Sequence, residues 1–141
     1  MLKKDKYLSL SDLLIRWEVN LSNVKIMAYN ENTATRIRQA LSHLPRVEEK
    51  KMFGGLAFLV DGKMCINAGD NRIMCRIDPV LYDGVIKRDG CQPVMMKGRE
   101  YRGYVYVDEN SIKNKKDFDY WVQLSLEFNK VAKSSKKVKS K

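Results

Sequence analysis

The residues of this chain that could do chemistry are few, and their spacing does not assemble a catalytic site. The single histidine, His43, falls off the apolar stripe of a predicted helix, which favours an exposed side chain over a catalytic base or metal ligand. Glu48 and Glu49 are adjacent, so on a strand they would point to opposite faces and could not cooperate as acid and base. No catalytic residue is predicted, and the chain is interpreted as a non-enzyme.

The three cysteines, Cys65, Cys75 and Cys91, form no CxxC motif and have no histidine partner for a zinc site. Cys65 and Cys75 could lie nearly opposite each other on neighbouring strands. An odd number of cysteines, without a leader-type apolar stretch among the first residues, is typical of buried free thiols in a reducing compartment. We therefore expect a cytoplasmic protein with no metal, no cofactor and no small-molecule substrate.

Two further features have both a chemical and a structural interpretation. Gly54-Gly55 could cradle a phosphate, but no phosphate-binding motif surrounds the pair and it leads into a strand, which favours a bulge or close backbone packing. Arg76 ends an apolar strand and could bind an anion. Pairing with a local carboxylate or carbonyl is the favoured alternative for Arg76.

The formal charge of +10 suggests nucleic-acid binding, but the charge is unevenly distributed. Residues 27–129 carry only +2, and the basicity is concentrated in a lysine-rich tail. Tyr101, Tyr104 and Tyr106, near several basic residues, could also stack single-stranded bases, although core and interface packing is favoured. The tail lysines that could bind nucleic acid are Lys130, Lys133, Lys136, Lys137, Lys139 and Lys141.

An N-terminal extension, residues 1–26, precedes the predicted domain. Its apolar residues recur at helical spacing, which predicts a short amphipathic helix. The polar face is not rich in lysine or arginine, so packing on the domain is favoured over a membrane surface, and no stretch is long enough to span a bilayer. The apolar stripe comprises Leu10, Leu13, Leu14, Trp17 and Leu21.

The remaining elements alternate in a defined order. A helix over 31–44 is followed by strands over 48–60, 63–67 and 72–77, and a short helix begins at Asp78-Pro79 and ends near Gly90. Strands over 93–97 and 104–107 flank a Gly98–Gly103 loop, and Asn114 begins a final helix. This order, α-β(3)-α-β(2)-α, predicts a two-layer α+β domain over residues 27–132, with a disordered tail over 133–141.

The hairpin at Asp61-Gly62 is the best-defined local feature. Asp and Gly tolerate the positive φ angles of a two-residue type I′ turn, so Val60 should pair with Lys63. Continuing that register pairs Leu59 with Met64, Phe58 with Cys65 and Ala57 with Ile66. Leu59, Met64, Ala57 and Ile66 then share one face, and both faces are apolar. One face should be covered by the domain's helices and the other by the N-terminal helix or by a second copy.

From Met27 to about Ala132 the chain resembles the N-terminal domain of the competence regulator TfoX, also called Sxy. The resemblance rests on the Lys51-Met52-Phe53-Gly54-Gly55 box, the Asp61-Gly62-Lys63-Met64 turn and the glycine-flanked segment Gly98–Gly103. It implies a fold similar to secretion chaperones and adds little chemistry. TfoX proper continues into a second helical domain, where this chain has only its lysine tail.

The function expected from these observations is a regulatory or protein-interaction module, linked through the resemblance to competence or transcriptional regulation. Its expected partners are a second copy of itself, a regulatory protein, or both. The alternatives are a nucleic-acid-binding accessory protein that uses the tail, and a small enzyme acting on an anionic substrate through Arg76 and the Gly98–Gly103 loop, which no nucleophile–base pair supports. The candidate interaction residues are Lys51, Met52, Phe53, Gly54, Gly55, Phe58, Met64, Arg76, Gly98, Tyr101 and Gly103.

Overall fold

The computed structural model describes residues 29–133, so the predicted N-terminal helix and the tail from Ser134 onward lie outside the described residues. Helix α1 spans Glu31–Ala40, and the Asn30 side chain caps it by accepting from the N–H groups of Asn32 and Thr33. The helix ends before the predicted Leu44. The Ser42 hydroxyl donates to the Gln39 carbonyl, a local bond that competes with continued helix.

The single strand expected over 48–60 is wrong, because two strands occupy it. β1 spans Val47–Met52 and β2 spans Gly55–Val60, antiparallel and in register from end to end. Phe53 and Gly54 form the two-residue turn between them, with φ angles of 57° and 71°. Phenylalanine is not a residue that sequence rules associate with positive φ, so the pattern concealed the turn.

The second hairpin follows prediction as far as its second residue pair. β3 spans Lys63–Ala68. Asp61 and Gly62 have φ angles of 55° and 79°, and the Val60–Lys63 and Leu59–Met64 pairs are confirmed. Beyond them the register shifts, so Phe58 lies opposite Ile66 and not Cys65. This bulge adds one residue to β3 and moves Ile66 to the opposite face from the one predicted.

The second half of the domain contains shorter helices and longer strands than predicted. β4 spans Arg72–Arg76, and the expected helix from Asp78 is a 3-10 turn, Pro79–Leu81, followed by the one-turn helix α2, Tyr82–Val85. β5 spans Cys91–Met96 and β6 spans Arg99–Asp108. The expected Gly98–Gly103 loop is wrong, because Lys97 and Gly98 alone make the reversal, with φ angles of 53° and 75°.

A second 3-10 turn, Glu109–Ile112, leads to the long helix α3, Lys115–Asn129. Asn114 caps this helix by accepting from the Asp117 N–H at 2.8 Å, as the sequence predicts. The six strands form one antiparallel sheet in the order β1-β2-β3-β4-β6-β5. The α+β class is confirmed, although four strands and not three precede α2.

The main core lies between this sheet and the helices. Ile37 of α1, Tyr82 of α2 and Trp121 of α3 are buried against strand residues such as Phe58 and Val105. We call this side of the sheet the helical face. Among residues 29–133, none of the helices has the length and apolarity that crossing a membrane requires.

A separate apolar cluster lies on the other side of the sheet, which we call the second face. Within the described range its buried members are all strand residues, and each is at most 7% exposed. Methionine and tyrosine side chains, partly buried, surround them. The buried members are Ala57, Leu59, Met64, Met74 and Val94.

Candidate functional site

The Lys51–Gly55 box is explained largely by how two hairpins pack. The buried Asn67 side chain donates through Nδ2 to the Met52 carbonyl at 2.8 Å, which ties the first hairpin to β3. A Cβ atom at Gly55 would lie 2.2 Å from the Ala68 carbonyl oxygen, so only glycine fits there. Close backbone packing, the favoured interpretation of the glycine pair, accounts for Gly55, and turn geometry accounts for Gly54.

The other residues of the motif separate into buried and exposed groups. Phe58 is fully buried on the helical face, and Met64 belongs to the second face. Lys51 is exposed on the edge strand, and Phe53 remains 48% exposed at the turn. Phe53 borders a cavity of about 310 Å³ that also includes Arg72 and Tyr106. The candidate residues of this box therefore do not converge on one surface.

Arg76 binds the protein's own chain. Its Nη2 donates to the Lys133 carbonyl at 3.1 Å, and its guanidinium lies 5.6 Å from the Phe128 ring and 5.9 Å from the Tyr104 ring. The carbonyl partner fits the structural alternative considered for this residue. Arg76 thus joins the end of β4 to the residues that follow α3.

The tyrosines do not form the continuous stacking platform considered from the sequence. Tyr104 and Tyr106 are half-buried at the second face, and the Arg72 guanidinium lies 3.4 Å from the centre of the Tyr106 ring. Contacts this close are typical of a cation–π pair and leave that ring face occupied. Tyr101 is more exposed, at 37%, near the start of β6.

The three thiols are buried or partly buried in the fold. Burial raises the pKa of Cys65 to about 12 and that of Cys91 to about 11, and it raises the pKa of Cys75 further still. Cys75 lies opposite Ile66, the neighbour of Cys65, so the two cysteines lie nearly opposite each other on neighbouring strands, as considered from the sequence. All three cysteines are free. Protonated, buried thiols are poor nucleophiles and poor metal ligands.

The acidic pair is split as predicted, and His43 is exposed. Glu49 forms two hydrogen bonds with Arg38 of α1, at 2.6 and 2.9 Å, which lower the pKa of Glu49. Glu48 lies opposite Leu59 of the second face. Residues 29–133 contain no group of three or more His, Cys, Asp or Glu side chains that could hold a metal ion.

The strongest concentration of exposed apolar side chains lies where the segment 79–85 meets the β5–β6 hairpin. Six large hydrophobic side chains are exposed in the described part of the chain, and four of them belong to these two elements. We call these four the apolar ledge. Its members are Val80 at 86% exposure, Met95 at 55%, Leu81 at 44% and Tyr101 at 37%.

Specific contacts hold the two elements of the ledge together. The buried Tyr82 hydroxyl donates to the Glu100 carboxylate, and the pKa of Tyr82 is raised to about 12 by burial and by this bond. Arg102 pairs with Asp83 at 2.7 Å and stacks over the Tyr82 ring at 4.6 Å. Ile77 donates its N–H to the Gly103 carbonyl at 2.9 Å. These contacts fix the segment 79–85 against the β5–β6 hairpin, the two elements that carry the ledge.

Sequence reasoning missed residues that build the ledge. Tyr82 braces its two elements and Val80 belongs to it, and the only local signal for either is the Asp78-Pro79 start followed by apolar residues. A 3-10 turn this short leaves Val80 and Leu81 too few neighbours to bury them. Gly98 and Tyr101 were selected as candidates and lie in the hairpin that carries half of the ledge.

The lysine tail is described only at its start. The ammonium group of Lys130 lies 3.5 Å from Glu127, and Lys133 contributes its carbonyl to Arg76. Lys136, Lys137, Lys139 and Lys141 lie outside the described residues.

Fold and surface together define a two-layer α+β domain with a braced apolar ledge. The family model for the TfoX N-terminal domain matches residues 39–129. The chain therefore belongs to the TfoX N-terminal domain family, as its motifs indicated. A crystal structure of a protein from Pseudomonas syringae is similar, with a TM-score of 0.51 and 15% identity over 71% of this chain and 98% of that one. A search of curated proteins finds no match.

Proposed function

We propose that this chain is a non-enzymatic regulatory module that acts by protein–protein contact and pairs with a second copy of itself through the apolar ledge. The observation that carries the proposal is that four of the six exposed large hydrophobic side chains in residues 29–133 belong to two elements joined by specific contacts. Apolar side chains clustered on a surface mark interaction sites more often than isolated ones do. A cytoplasmic location is part of the proposal, supported by three free cysteines.

The charges around the ledge favour a second copy as its occupant. A two-fold interface brings the same patch together from both chains, so the patch must complement itself. The hairpin turn supplies Lys97 and Arg99, while the opposing segment supplies Asp78; Asp83 is already paired with Arg102 of the same chain. In a two-fold arrangement the basic turn of one copy can face the acidic segment of the other around an apolar centre.

The nucleic-acid alternative is carried by the tail. In the described body, two of the arginines beside the tyrosines make structural contacts: Arg72 stacks on Tyr106 and Arg76 binds the Lys133 carbonyl. Tail binding without a body site would be sensitive to salt and indifferent to sequence. Fluorescence anisotropy over a salt series would detect such binding.

Light scattering coupled to gel filtration tests the pairing. The wild-type chain, Val80→Glu and the matched control Val131→Glu are compared over a concentration series, because Val80 and Val131 are both highly exposed, at 86% and 71%. We expect the wild type and Val131→Glu to approach twice the chain mass of 16.4 kDa, and Val80→Glu to remain at that mass. A monomeric wild type at every concentration, or an unchanged Val80→Glu dimer, contradicts the proposal.

A further inference from the structure

The second face is buried without help from the described helices. Ala57 and Val94 are fully buried and Met74 is 3% exposed, yet the buried apolar side chains of α1, α2 and α3 all belong to the helical face. Antiparallel sheets with one wet side alternate apolar and polar residues, and this sheet does not. The second face therefore requires a cover that α1, α2 and α3 do not provide.

The chain enters the described fold at a position from which it can reach this face. The Asn30 N–H donates to the Gly69 carbonyl at 2.8 Å, which fixes the entry point at the turn between β3 and β4. These two strands carry Met64 and Met74, central members of the second face. Residues 1–28, including the predicted amphipathic helix, precede this point.

We propose that residues 10–21 lie across the second face as a helix, with the stripe formed by Leu10, Leu13, Leu14, Trp17 and Leu21 against the sheet. A helix of this length is about 17 Å long. The face extends from β2 to β5, four inter-strand spacings or about 19 Å. Residues 22–28 can span up to about 23 Å, enough to connect the helix to the entry point.

Charge favours this segment over a second copy as the cover. The Arg72 and Arg76 guanidinium groups lie near the Tyr106 and Tyr104 rings of this face. A second copy docked face to face would bring the same basic groups together, which is unfavourable. The segment instead carries Glu18, which on a helix lies beside the apolar stripe.

The proposal is separate from the ledge, because the ledge comprises exposed side chains and the second face comprises buried ones, although both include residues of β5.

Methionine oxidation by peroxide, read by peptide mass spectrometry on the full-length chain, tests the cover. Met64 and Met74 report the second face, while Met95, which lies on the ledge and is 55% exposed in the single chain, is the internal reference. The test variant is Leu13→Asp/Leu14→Asp. The matched control, Ile15→Asp/Val19→Asp, adds the same charges on the opposite side of the predicted helix.

We expect Met64 and Met74 to oxidise about tenfold faster in the test variant than in the wild type or control, with Met95 unchanged. A cooperative urea-unfolding transition verifies that the helical face remains folded. Equal rates in the test variant and the wild type overturn the proposal. Protection that disappears when the wild type is diluted also overturns it, because it assigns the cover to a second copy.

Discussion

The two faces of the sheet are similarly apolar but differ in what packs against them. On the helical face, Ile37, Phe58 and Trp121 come from elements far apart in the sequence and form one core. On the second face, the described cluster contains strand residues alone. An apolar sheet surface therefore does not identify its own cover. The apolar stripes of the described helices identify the cover of the helical face. The cover of the second face must be inferred from the length and charge of the segment that precedes α1.

The largest effect should come from the helical face. Phe58 is fully buried in the main core, so Phe58→Ala should reduce the free energy of unfolding by about 4 kcal/mol through lost contacts and a residual cavity. Urea denaturation measures this loss of free energy, and Val131→Ala, a substitution at an exposed position, is the control. A loss below about 1 kcal/mol would show that this face is not the stabilising core.

Gly55→Ala should be the next most damaging change. Its Cβ would lie 2.2 Å from the Ala68 carbonyl oxygen, a backbone atom that cannot move without displacing β3, so we expect a loss of about 3 kcal/mol. Gly98→Ala is the control, because nothing lies within 4 Å of the added Cβ and only its φ of +75° opposes the change. The control should cost about 1 kcal/mol. Equal losses, measured by thermal unfolding, would contradict the packing explanation.

Adjacent residues on β4 compare the two faces directly. Ile73 belongs to the helical face and Met74 to the second face, and both are buried. In the wild type, alanine at either site should cost about 2 kcal/mol. In the Leu13→Asp/Leu14→Asp background, Met74→Ala should lower the free energy of unfolding by clearly less than it does in the wild type. Ile73→Ala should lower it by the same amount in both backgrounds. Additivity at both positions, measured by a double-mutant cycle, would contradict the difference between the faces.

The smallest effect concerns Tyr82, whose pKa rises from 10.0 to about 12 on folding. Because the folded chain holds this proton more tightly, the stabilisation is complete below pH 10 and is lost as pH rises towards 12. Tyr82→Phe should cost about 1 kcal/mol at neutral pH and should flatten this alkaline decline. Denaturation at several alkaline pH values compares the wild type with Tyr82→Phe. If the free energy of unfolding falls equally in both, Tyr82 is not the cause of the alkaline loss of stability.

Much of the fold could be predicted because local rules dominated. Asp61-Gly62 specified its turn, Asn114 specified the start of α3, and the stripe containing Phe118 and Trp121 identified the main helix. The Phe53-Gly54 turn could not be predicted, because a phenylalanine at φ 57° opposes local preference and is held by tertiary contacts such as the Asn67–Met52 bond.

The candidate site was less predictable for a related reason. Motif residues such as Gly55 and Phe58 attracted attention as candidates, but their roles are close packing and core formation. The ledge depends on a non-local pairing, in which Tyr82 meets Glu100 and Asp83 meets Arg102. Sequence periodicity predicts local elements. It does not predict which exposed side chains are brought together by such long-range pairs.

The central claim is that two copies meet at the ledge and not at a face of the sheet. The most direct test is the solution mass of the Leu13→Asp/Leu14→Asp chain, measured beside the wild type over the same concentrations. We expect this variant to expose its second face yet keep the wild-type concentration dependence of its mass, while Val80→Glu remains monomeric. A variant that loses the dimer, or forms larger species, would instead assign self-association to the second face.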